Sequence, residues 1–65
     1  MDSREILKIL KRDGWVVKRI SGSHNHLIHS IKKGLVTIPH PKRDLPLGTI
    51  KSIERQAGIK LLGGK

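Results

Sequence analysis

Four histidines, His24, His26, His29 and His40, stand in a chain with no cysteine and a formal net charge of +9. Histidine is the side chain whose unperturbed pKa, about 6.5, lets it both take and give a proton near neutrality. His24 closes the run Gly22-Ser23-His24 between two strand-like segments. Fourteen Lys and Arg against five Asp and Glu make a polyanion the natural partner of such a chain. RNA is a polyanion that also carries its own nucleophile, the 2′-hydroxyl. One reading of these residues is acid–base cleavage of RNA at His24. The plainer one is a small basic binding domain with a hydrogen-bonded loop histidine.

A general base for 2′-hydroxyl attack must come within about 2.6–3.2 Å of the proton it removes, and the start of a strand is a rigid place from which to aim it. Gly22 lets the backbone take a positive φ and exposes the amides of Ser23 and His24 to a phosphate. The Ser23 hydroxyl adds a hydrogen bond there or serves the turn itself. His26 follows His24 at strand spacing, so both leave one face while Leu27 and His29 point to the other. His24 and His26 can then be an acid–base pair, or join His40 as metal ligands, or His26 can simply solvate the sheet. Spacing alone shows no three-histidine convergence, and the chain is read without metal or cofactor. His40, between two prolines, packs or touches substrate, and His29 caps the strand end or packs under the loop.

Arg19 and Lys42, close in sequence to the histidine turn and to the loop carrying His40, are the cations expected to meet phosphate. Lys18 and Arg19 are expected on opposite faces of their strand, Lys32-Lys33 in a basic turn, and the helix-one cations on a solvated face. With no Phe or Tyr and a single Trp, a stacking platform for single strands is not expected, and Trp15 is assigned to the core.

Positioning these groups falls to a chain of 65 residues, which makes one domain with a small core and a shallow, open site. Helix one spans residues 1–14, with Asp2 as N-cap, or Ser3 as its alternative, Glu5 at capping-box spacing, and Gly14 as the stop. Ile6, Leu7, Ile9 and Leu10 form its apolar face. Residues 15–38 form a three-strand meander: Trp15 to Ile20, His24 to Ser30, and Leu35 to Ile38, the last ended by Pro39. Residues 39–48 hold all three prolines and read as an extended loop. Helix two spans 49–58, capped by Thr49, with Ile50, Ile53 and Ala57 on its buried stripe; residues 59–65 are a tail expected to fray. The order predicts an α+β domain whose three-stranded antiparallel sheet carries both helices on one face. The first apolar run, Ile6 to Leu10, is interrupted by Lys8 and is neither a signal sequence nor a membrane span, so a soluble cytoplasmic protein is expected.

Over nearly its whole length the chain resembles the HicA toxins of HicA–HicB toxin–antitoxin pairs. The matching residues are LKRDGW from Leu10 to Trp15, Arg19, the Gly22-Ser23-His24 run, VTIPHP from Val36 to Pro41, KRDLPLG from Lys42 to Gly48, and IERQAGI from Ile53 to Ile59. Each stretch is weakly specific, and their order and spacing together are strongly so. The resemblance implies a fold like a double-stranded-RNA-binding domain, α-β-β-β-α, ribosome-independent endoribonuclease cleavage of mRNA, and a HicB-like antitoxin partner. It places the essential histidine on His24 and the motif glycine on Gly22. Many members carry a second histidine directly after the first, where this chain has Asn25 and only then His26. The sequence therefore predicts a mRNA interferase with His24 as general acid or base, Gly22, Ser23, Arg19 and Lys42 holding substrate, and His26 and His40 as possible auxiliaries. The alternative is a non-catalytic basic RNA-binding module.

Overall fold

The computed structural model describes residues 1–62, so the last part of the expected tail, 63–65, lies outside the described residues. Helix α1 runs Ser3–Arg12. The Asp2 carboxylate accepts from the Arg4 amide at 2.7 Å, and the Asp2 amide donates to Glu5 Oε1 at 3.1 Å, which completes the expected capping box. Ser3 is not the cap but a fully buried residue of the first turn. Its Oγ accepts the Lys42 amide at 2.9 Å and shares a hydrogen bond with His40 Nδ1 at 2.7 Å, while its own amide donates to the Lys42 carbonyl at 2.9 Å. One small hydroxyl thus ties the proline loop to α1.

Strands β1 (Trp15–Ser21), β2 (His24–His29) and β3 (Val36–Pro39) form an antiparallel sheet in the order β1-β2-β3. Strand β3 starts one residue later than expected and takes in Pro39, which its edge position tolerates because no further strand needs the missing N–H. Helix α2 runs Leu47–Ala57, three residues earlier than a Thr49 cap implies. Pro46 is the boundary residue, with no side-chain cap, and its carbonyl accepts the first helical bond from the Ile50 amide at 3.0 Å. Thr49 therefore lies inside the helix. Gly58 closes α2 in the left-handed region, as the sequence predicts.

Trp15, Leu27, Val36 and Ile38 point from one face of the sheet into a core shared with Ile6, Leu7 and Leu10 of α1 and Ile50, Ile53 and Ala57 of α2. Trp15 meets the edge of His29 with ring centroids 5.2 Å apart. His29 is structural: Nδ1 accepts the amides of Ile31 and Lys32, each at 3.0 Å, so Nε2 carries the proton it gives to the Asp13 carbonyl at 2.7 Å. The tail does not fray at residues 61–62. Leu61 is buried, and Glu54 Oε2 accepts the Leu61 and Leu62 amides at 2.6 and 2.7 Å. Lys32 is not a free basic turn residue either, since its Nζ donates to Asp13 Oδ2 at 2.7 Å and to the Ala57 carbonyl at 3.0 Å, linking the ends of both helices.

These two carboxylates make the fold acid-sensitive. The Lys32 hydrogen bond holds Asp13 below its ordinary 3.8, and the Leu62 and Leu61 amides hold Glu54 below its ordinary 4.5. A folded-state pKa below the unfolded value gives stability that is present above the unfolded pKa and lost as pH falls through the folded one. The urea midpoint is therefore expected to be level from neutrality to about pH 5 and to decline below that. Asp13→Asn with Glu54→Gln should lower the plateau and flatten the decline. A decline of unchanged steepness in that double variant would place the acid sensitivity elsewhere.

Candidate active site

His24 begins the central strand, pairing with Ser21 of β1 on one side and Pro39 of β3 on the other. Its backbone is thus fixed from both sides while its side chain is exposed. Gly22 has φ 59° and Ser23 a negative φ, the signs of a II′ hairpin turn, which requires glycine at its first central position. The Ser23 carbonyl accepts the His40 amide at 2.8 Å, so the turn is held against the proline loop as well.

Arg19 reaches the same side through a β-bulge. Val17 pairs with Leu27, but the next pair is Arg19 with His26, leaving Lys18 as the extra residue. In an uninterrupted strand Arg19 would follow Trp15 and Val17 to the core side. The bulge moves it to the open face beside His26, and for the same reason Lys18 and Arg19 do not divide the two faces between them. Lys42 is exposed on the proline loop, its backbone bonded to Ser3 on both its amide and its carbonyl.

The remaining histidines separate. His26 shares its face with His24 as expected, and its Nδ1 lies 3.2 Å from Thr37 Oγ1. His40 is bonded through Nδ1 to Ser3 Oγ at 2.7 Å. Among the described residues no three His, Asp or Glu side chains gather as metal ligands, so His24, His26 and His40 do not form the three-histidine cluster that the sequence leaves open.

What His24 does join is an open groove of about 370 Å3 formed with Thr37, Pro39, Gly48, Thr49, Ser52, Ile53 and Gln56. The α2 members are absent from the sequence reading. Thr49, Ser52 and Gln56 fall at i, i+3 and i+7, one stripe next to the buried Ile50, Ile53 and Ala57. That polar stripe was the available signal, although nothing local says which strand it faces.

These elements define a small basic α+β domain of order α-β-β-β-α, with an exposed histidine at the head of its central strand. The family model for the HicA toxin of bacterial toxin–antitoxin systems matches residues 3–59, and the chain belongs to that family. Among solved structures it is similar to a chain described as "HicA3 and HicB3 toxin-antitoxin complex", with TM-score 0.78 and 32% sequence identity over 94% of this chain and 98% of that one. Among curated proteins no sequence matches. No described helix is long and apolar enough to cross a membrane.

Proposed function

We propose that this toxin is a ribosome-independent mRNA endoribonuclease whose proton carrier is His24. The observation that carries this reading is the placement of an exposed imidazole on a rigid central strand, beside a glycine turn and in a groove open to a polymer. The substrate 2′-oxygen attacks the adjacent phosphorus and the bond from phosphorus to the 5′-oxygen breaks, leaving a 2′,3′-cyclic phosphate and a 5′-hydroxyl. One proton leaves the 2′-hydroxyl and one arrives at the 5′-oxygen; His24 moves one of them and the open groove exchanges the other with water. Arg19, brought to this face by the bulge, and Lys42 hold the flanking phosphates, and the amides of the Gly22-Ser23 turn add hydrogen bonds to phosphate oxygen. No cofactor or metal is assigned a role.

The test is an RNA carrying a single 2′-deoxy sugar at a mapped cut site. It should be bound as tightly as the all-ribose strand and left intact at that site, while the ribose strand yields cyclic-phosphate ends. Binding of the deoxy strand should weaken with salt along a log–log slope of about 0.7 per phosphate neutralised, and Arg19→Ala should reduce that slope. Cutting at the deoxy position would exclude 2′-hydroxyl attack. Tight binding with no cutting of either strand would favour the non-catalytic RNA-binding module.

A HicB-type antitoxin is the proposed partner, supported by the complex in which the similar HicA chain was solved. A chain with net charge +9 is most readily blocked by an acidic surface laid over its cations. Antitoxin and the uncleavable RNA should therefore compete for the protein. A stable ternary complex with His24 still open to chemical modification would show that inhibition does not work by covering the site.

A further inference from the structure

The groove beside His24 has a composition that the phosphate-binding reading leaves unused. Although the chain carries fourteen Lys and Arg, no Lys, Arg, Asp or Glu among the described residues lines it, and His24 is the titratable member of its lining. Its neutral polar lining residues are Thr37, Thr49, Ser52 and Gln56, and its apolar ones are Pro39 and the almost fully buried Ile53. A site for the RNA backbone alone would present cations, because phosphate contacts are made chiefly by Lys and Arg. A protein-docking pocket would be mainly apolar. Neutral donors and acceptors beside a proline ring suit a planar, uncharged, hydrogen-bonding group. At about 370 Å3 the groove stands near the lower end of the roughly 300–1,000 Å3 common for small-molecule sites, which is room for one nucleoside.

We propose that this groove is a nucleobase subsite in which Gln56, with Thr49 and Ser52, reads the base of one nucleotide flanking the cut bond. The inference rests on the ribonuclease reading and adds a specificity site to it. Sequence in RNA is read on unstacked single-stranded bases through their polar edges. A carboxamide offers two donor hydrogens and an accepting oxygen, which permits paired bonds to one base edge. Because His24 lines the same groove, a base seated there belongs to the dinucleotide step being cut. Pro39 provides apolar surface for the ring, so the lone Trp in the core is not needed for it. Gly48 matters by what it lacks: a Cβ built on it meets no atom within 4 Å, and its φ is not in the left-handed range, so a large side chain there fills the groove without straining the helix.

The experiment maps cut sites in a random-sequence RNA pool for the wild type, Gln56→Ala, Gln56→Glu and Gly48→Leu. The wild type should show a base preference at one position next to the cut. Gln56→Ala should reduce that preference by a factor between about five and a hundred, the range set by one paired base contact, with other positions unchanged. Gln56→Glu should redirect the preference, and Gly48→Leu should slow cutting at every sequence while the circular dichroism spectrum stays that of the wild type. A wild-type bias that survives in both Gln56 variants overturns the subsite even if His24 proves essential. Should the wild type cut no RNA, the ribonuclease reading fails, and the subsite is judged by NMR instead, with 2′-deoxy dinucleotides of all base combinations titrated into the wild type and Gln56→Ala. Shifts at Thr49, Ser52 and Gln56 that depend on base identity and vanish in Gln56→Ala would sustain it. Shifts that ignore the base, or none, would overturn it.

Discussion

His24→Ala and His24→Gln protein should retain the fold, bind RNA and lose cleavage by at least the 10²–10⁴-fold, in round terms about a hundred to ten thousand, that a positioned acid–base group contributes. The fold should survive because the imidazole is exposed and the strand is held by its backbone pairing to Ser21 and Pro39, neither of which the substitution touches. The wild type should cut RNA in EDTA. A requirement for added divalent metal would contradict the histidine mechanism. Undiminished cutting by the His24 variants would move the chemistry to His26 or His40. Those two are less free to act, since His26 is bonded to Thr37 and His40 to Ser3. Loss of cutting in a His40 variant would therefore need a check on stability before it was read as chemistry, and the His24 variants make that check simple.

The largest effect on stability is expected at a glycine outside the site. Gly14 has φ 106°, and a Cβ there would stand 2.7 Å from His29 Nε2. Gly14→Ala thus combines backbone strain, about 1–3 kcal/mol, with displacement of the His29 bond to the Asp13 carbonyl, another 1–3 kcal/mol or so. A domain of 65 residues has only about 3–10 kcal/mol in all at typical stability per residue. Thermal unfolding should fall by more than about 10 °C, or the protein should not fold at all. Gly22→Ala is the matched comparison: its φ is 59° and a Cβ there meets nothing within 4 Å, so only the left-handed strain of about 1–2 kcal/mol applies. A Gly22→Ala protein that melts near the wild type but cuts poorly would locate the role of that glycine in the turn beside His24. Equal melting of the Gly14 and Gly22 variants would show that the His29 contact does not support the fold.

Local physics explains what was legible in the chain. The helix-one cap, the glycine turn, the Trp15 core position and the Gly58 stop each depend on residues within one or two turns or one strand, and all are found where the pattern puts them. Period-two alternation was enough to place His24 and His26 on one face, and the ordered run of family motifs put the expected essential histidine at His24. The same alternation misled at Arg19, because a bulge adds one residue to the strand and its position depends on pairing with β2 rather than on the sequence of β1. Helix two starts after Pro46 rather than after Thr49 and has no side-chain cap, so the expectation of a capping hydroxyl misplaced its start.

Tertiary structure alone decided which distant groups meet. Ser3 looked like a surface cap and is instead buried between His40 and Lys42. Lys32 looked like a free turn cation and instead joins Asp13 to the end of α2. Thr49 was expected only as a cap and Ser52 and Gln56 had no expected role, and the three line one groove with His24. These are contacts between elements far apart in the chain. A side chain's spacing within its own helix or strand sets its direction relative to that element, whereas the neighbour it meets is set by how the packed core orients one element against another. The sequence by itself therefore determined the strand position and the facing of His24, and the packing of α2 against β3 determined what stands opposite it.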